Sequence, residues 1–184
     1  MTSKFPALAL LVIVCLRPHA QEAELPIAQL DRLAARAIEI VDVTLNQNSA
    51  QFVAKLATLG SVDREKLREA AAKLKGVRVR GFEFAEAGAY SETDLAPLRA
   101  QLNTAAWQRI VSVRGRSGAS DEVFIMPRGE TITGWAYISA EPKSLCVINL
   151  VGALSLDEIA LLDKHFGLSQ CGKHGERRSR RRSR

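Results

Sequence analysis

The apolar positions change period along the chain, and each change marks an element. DRLAARA, from Asp31, has the spacing of one or two helical turns, and AIEIVDVTL (37–45) alternates as a strand does. Ser49 to Leu59 returns to helical spacing through Phe52, Val53 and Leu56, ending at Gly60. Ser61 or Asp63 can cap a further helix that runs to about Lys75, with Leu67, Ala71 and Leu74 inward and Gly76 as its stop. GVRVRGFEFAE (76–86) is a strand whose apolar phase shifts: Val77 and Val79 share one parity, Phe82 and Phe84 the other. A bulge at Gly81, which would put all four on one face, is the expected arrangement. Without it the strand is buried on both faces, and Arg78 and Arg80 need partners.

SETDLAPLRAQL (91–102) opens a helix, with Ser91 and Asp94 at capping-box spacing and Pro97 as a possible kink or later start. After Trp107 come four strand-like runs, 108–114, 122–128, 131–140 and 144–152. The breaks between them are short enough to demand antiparallel neighbours, so the four form a meander. Ser155 and Glu158 make a second capping box for a helix over 156–166, stopped by Gly167. The order predicts an α+β domain: a single antiparallel sheet of five or six strands, helices on one face, and a C-terminal four-stranded meander followed by a helix. The meander is apolar on both parities. Helices on one face would leave Trp135, Tyr137, Ile148 and Leu150 as a surface for a protein partner or small ligand, unless the chain itself wraps over them.

The ends change this picture. Lys4 precedes ten apolar residues, Ala7 to Leu16, and no acidic residue comes before Glu22. That is a secretory signal pattern, too short for the roughly 20 apolar residues a bilayer helix requires. Cleavage after Ala20 is expected, with Ala23 as the second choice; Val14 before Cys15 does not fit a lipobox. The layout is then a signal peptide over 1–20, a linker and short helix over 21–35, one domain over 36–168, and a disordered basic tail over 169–184. The formal charge is +6, yet six arginines lie in the last eight residues: Arg177, Arg178, Arg180, Arg181, Arg182 and Arg184. Without these and the first 20 residues, 18 basic face 20 acidic residues. The fold itself is not basic, so nucleic acid is not its expected partner. The tail is a candidate anion binder, worth about 1 kcal/mol per arginine at an anionic bilayer, or a plain solvated extension.

Catalytic motifs are sparse. There is no G-x-S-x-G elbow and no glycine-rich phosphate loop. Cys146 with His165 is the only Cys–His option in the expected domain, supported by composition alone. Glu83, Glu86, Glu92 and Asp94 lie near one strand-to-helix connection and could form a paired-acid site; turn and cap roles explain them equally. His165, Cys171 and His174 make a weak metal set, short of the four ligands of a structural zinc site. No catalytic residue, metal or cofactor is therefore assigned. Arg78, Arg80, Arg109, Arg114 and Arg128 could gather on one face around an anion, but cross-strand pairing with Glu39, Asp42, Glu83 and Glu122 is favoured. Cys146 and Cys171 could form a disulfide after export or remain a buried thiol and a mobile one.

GVRVRGFEFAEAGAYSETDLAPLRAQL with the following W-x-R-I-V-S-V-R, and TGWAYISAEPKSLCVINLVGALSLDEIALL, resemble the exported bacterial family called domain of unknown function 4252, over roughly 36–168. The resemblance implies an exported protein with no catalytic motif to transfer. Cys146 and the arginine tail depart from the family pattern. These features lead to an exported, non-enzymatic binding or regulatory domain of the cell envelope. The alternatives are an enzyme using the Glu83–Asp94 acids and an anionic-surface binder acting through the tail.

Overall fold

The computed structural model describes residues 23–49, 63–167 and Cys171. A 3₁₀ helix, Ile27–Arg36, leads into β1 (Ala37–Asn46). Then follow α1 (Arg64–Lys73), β2 (Leu74–Phe84), α2 (Glu92–Leu102), β3 (Gln108–Arg114), β4 (Ser120–Arg128), β5 (Thr131–Glu141), β6 (Ser144–Leu154) and α3 (Leu156–Phe166). The strands form one antiparallel sheet in the order β1-β2-β6-β5-β4-β3. The meander inserts its last strand beside β2, which makes β6 and β5 central and leaves β1 and β3 as edges.

The α+β class, the single antiparallel sheet and the meander-then-helix order are as the sequence predicts. The placement of the helices differs. The 3₁₀ helix and α2 cover one face, where Leu30, Leu33, Leu95, Leu98 and Leu102 pack on Phe82, Phe84, Ile138 and Val147. On the other face, Leu67, Ala70, Ile159 and Leu162 of α1 and α3 cover Val77, Val79, Ile148 and Leu150. Helices on both faces, rather than one, follow from the two-parity apolar strands, because each face then has its own surface to remove from water.

The phase shift in β2 has the same cause. The expected bulge at Gly81 is absent: β2 pairs continuously through Arg80↔Val147, Gly81↔Cys146 and Phe82↔Leu145. Val77 and Val79 therefore enter one core and Phe82 and Phe84 the other. Arg78 and Arg80 find the partners this requires. Arg78 pairs with Glu24; Arg80 donates to Asp31 at 2.9 Å and also binds Asp42. Gly81 marks close packing instead, since a Cβ there would lie 3.2 Å from both Cys171 Sγ and the Cβ of Val41.

Two boundaries also move. Leu74 leaves the expected helix to open β2, where it pairs with Gly152. That approach needs glycine: a Cβ on Gly152 would meet the Lys73 carbonyl at 2.5 Å. The segment expected as a linker is part of the body from Ala23 onward, because Ala23, Leu25, Ile27, Leu30 and Leu33 are fully buried. Asn149, itself buried in β6, holds it in place. Its Oδ1 accepts from Leu25 N at 3.0 Å, and its Nδ2 donates to the Ala23 and Trp135 carbonyls at 3.1 and 3.2 Å. Both capping boxes form, and Pro97 sits within α2 without ending it. Gly167 ends α3 in the left-handed region at φ 62°. Most of the helix expected over 49–59 lies outside the described residues.

Candidate functional site

Beyond α2, the sheet face that carries the 3₁₀ helix is left partly open. The last turn of α2 and the Asn103–Trp107 connection lie against β3 and β4, leaving a cleft of about 630 Å³. Trp107, Phe124 and Leu102 give it an apolar floor, and Arg99, Arg109, Glu92 and Glu122 supply charge. Glu122 is 1% exposed, and each of its oxygens meets a guanidinium. Oε2 accepts from Arg99 Nη1 at 2.5 Å, and Oε1 accepts from Arg109 Nη1 at 3.0 Å. At the rim, Arg99 Nε lies 3.1 Å from the carboxylate of the exposed Glu92. The Trp107 indole N–H is buried without a hydrogen-bond partner among the described residues. A buried carboxylate needs such pairing to remain charged. The outcome is a recess with an apolar floor and two guanidinia held at fixed positions, one of them, Arg109, half-exposed.

Sequence reasoning missed this cleft, although a signal was present. Glu122 shares its strand parity with Phe124 and Met126, both of which face the core. A carboxylate on the core parity of a strand points to a buried ion pair. Asn149, on the parity of Leu145, Val147 and Val151, is the same kind of signal.

The residues expected as a partner surface lie elsewhere. Trp135, Tyr137, Ile148 and Leu150 are only 8, 6, 0 and 1% exposed, in the core beneath α1 and α3. The chain itself covers them. The Tyr137 hydroxyl donates to Asp121 at 2.7 Å; burial and that contact push the phenol up to about 12. Burial, with Glu92 and Glu141 nearby, does the same for Tyr90, whose hydroxyl donates to the Glu141 and Ser144 carbonyls.

The four candidate acids do not converge. Asp94 caps α2 and pairs with Arg32 and Arg36 at 3.3 and 3.5 Å. Partial burial raises its carboxyl, but hydrogen bonds from Ser91 and the two guanidinia outweigh that and hold it below its ordinary value. Glu92 belongs to the cleft rim, Glu83 stands opposite Glu39 in β1, and Glu86 is exposed. Of the candidate arginines, Arg80 and Arg109 make the expected cross-strand pairs with Asp42 and Glu122, while Arg78 turns to Glu24. Cys146 and Cys171 form a disulfide with their Cα atoms 5.8 Å apart, so Cys146 is no nucleophile beside His165. Among the described residues no group of three His, Cys, Asp or Glu side chains could hold a metal ion. His174 and the tail arginines, Arg177 to Arg184, lie outside the described residues.

The architecture defines an α+β domain with a six-stranded antiparallel sheet, helices on both faces and a charged cleft at one side. The family model for Domain of unknown function (DUF4252) matches residues 36–162, and the chain belongs to that family. No curated protein and no solved structure matches the chain. The matched region holds the cleft and Cys146 but neither Cys171 nor the buried segment before Arg36.

Proposed function

We propose that this protein is an exported, non-enzymatic binding domain of the bacterial cell envelope, and that its binding site is the cleft between α2, β3 and β4. The observation that carries the reading is the cleft itself. It is open to solvent, floored by Trp107 and Phe124, and charged by a Glu122 whose two oxygens are both engaged by arginine. Such a set orients a ligand by its guanidinium edges and offers it an apolar surface. Export is supported by the signal pattern of the first 20 residues and by the Cys146–Cys171 disulfide, a bond that persists in oxidising compartments. Ala23 supports a cut after Ala20. Its methyl lies over Gly134 and its carbonyl accepts from Asn149, contacts that a cut after Ala23 would remove.

Two measurements test this reading. Mass spectrometry of the chain from fractionated cells should find a mature form beginning at Gln21 outside the cytoplasm; an intact cytoplasmic chain sinks the export half. Affinity capture from envelope extracts should compare the mature chain, a version ending at Glu176, and Ala100→Trp, which fills the cleft from an exposed position on α2. Capture by the first two at low and high salt, lost with Ala100→Trp, is expected. Capture by the full-length form alone, abolished by salt, would assign binding to the arginine tail instead.

A further inference from the structure

The sheet has two edges with opposite chemistry. β1 carries Glu39 and Asp42; both edge strands have an interrupted register, β1 between Ala37 and Glu39 and β3 between Arg109 and Val111. β3 is exposed along its whole length, and residues 108–116, QRIVSVRGR, hold three arginines and no acidic residue. Its two faces differ. Val111 and Val113 register with Val123 and Asp121 and are 41 and 55% exposed, extending the apolar face of the half-buried Val123 and Ile125. On the opposite face lie Arg109, beside the cleft, and Arg114, which pairs with Ser120 in register and makes no ion pair with a described residue. The outer backbone donors and acceptors of an edge strand are free to pair with another strand.

We infer that β3 is a strand-addition site for an extended peptide segment in which acidic and apolar residues alternate. The inference rests on the binding-domain reading and names the partner. A strand added to β3 places every second side chain on one face. Apolar ones would meet Val111 and Val113, and an acidic one would meet Arg114; Arg109, already paired with Glu122, lies beyond the interruption of β3 between Arg109 and Val111. Edge charges normally deter strange strands. Here they are confined to one face and share one sign, so they select an acidic partner and reject a basic one.

The probe is an acetylated peptide of about eight residues, the length of an ordinary strand, alternating valine and glutamate. It should shift the backbone amide signals of the oxidised mature chain most strongly at 108–114. N-methylation at alternate peptide amides should abolish the shifts. Arg114→Glu, on an exposed position that leaves the core intact, should weaken binding about tenfold and turn the preference toward a valine–lysine peptide. Unchanged affinity in Arg114→Glu, or shifts confined to the α2 side of the cleft, overturns the inference. So does sedimentation showing that wild-type chains pair with one another through β1 and exclude the peptide. If envelope capture is lost with Ala100→Trp but kept with Arg114→Glu, the cleft reading stands and the edge inference falls. If neither variant alters capture, both fall.

Discussion

β6 and β3 both belong to the meander and meet opposite fates. SLCVINLVGAL is buried at every position but Ala153; QRIVSVR is exposed at every position. Both are apolar on both parities around their centres. Their composition and their place in the sheet both differ: β6 has no charged residue and lies between β2 and β5 with helices above and below, whereas β3 carries Arg109 and Arg114, has one neighbouring strand and, among the described residues, no helix over Val111 and Val113. An apolar strand is thus core or surface according to what the rest of the chain brings to it. Apolar side chains stabilise the fold in β6, and the fewer that β3 carries are left available to a partner.

The sharpest test compares equivalent truncations. Ile148→Ala in β6 should cost about 4 kcal/mol, from lost burial and the cavity left behind. Val113→Ala in β3 should stay within about 0.5 kcal/mol. Urea unfolding of both variants measures this, and a cost above about 2 kcal/mol at Val113 would mean that β3 is core after all. Asn149→Leu should cost about 3 kcal/mol, because it strips a buried amide from Leu25 N and two carbonyls. Hydrogen exchange should then show the Leu25 amide losing protection while the β3 amides are unchanged.

Reduction of the disulfide should cost up to about 3 kcal/mol, with Cys146 and Cys171 separated by 25 residues. The loss should fall on α3 and the β6 face beneath it, read as increased exchange at Ile159 and Leu162; equal loosening of α2 would break the distinction between the two faces. The smallest effects follow pH. Asp94 and Glu158 both titrate below their ordinary values. For Glu158, burial raises the carboxyl, but the Lys73 and Ser155 hydrogen bonds outweigh it. A lowered carboxyl contributes stability above its unfolded value, about 4, and loses it as pH falls through the folded value. Asp94→Asn should therefore flatten the acid limb of a stability–pH curve. The raised phenols act at the other end: Tyr90 and Tyr137 contribute stability below pH 10 that is lost as pH rises toward about 12. Tyr137→Phe should remove part of that alkaline loss.

Much of the fold is legible one residue at a time. Ser91 with Asp94 and Ser155 with Glu158 announce helix starts because a cap is a local hydrogen-bond pattern. Gly167 announces a stop because only a residue tolerant of positive φ ends a helix that way. The breaks in the meander announce antiparallel pairing because short connections permit nothing else. The cleft is legible only in part. Glu122 on a core parity implies a partner, but that the partners are Arg99 from α2 and Arg109 from β3 depends on which helix settles over which strand.

The sequence alone determined the periods, the caps, the strand count within one, and the family, since each rests on contacts between near neighbours or on the order of such segments. Tertiary structure decided that Gly81 is a site of close packing and not a bulge, that Leu74 is strand and not helix, and that Trp135 and Tyr137 are core while Val111 and Val113 are surface. Those outcomes depend on residues brought from far along the chain: Cys171 behind Gly81, Gly152 beside Leu74, and the helices over β6. Burial is a property of the whole assembly, and a strand's own pattern states only which faces could be buried, not which ones are.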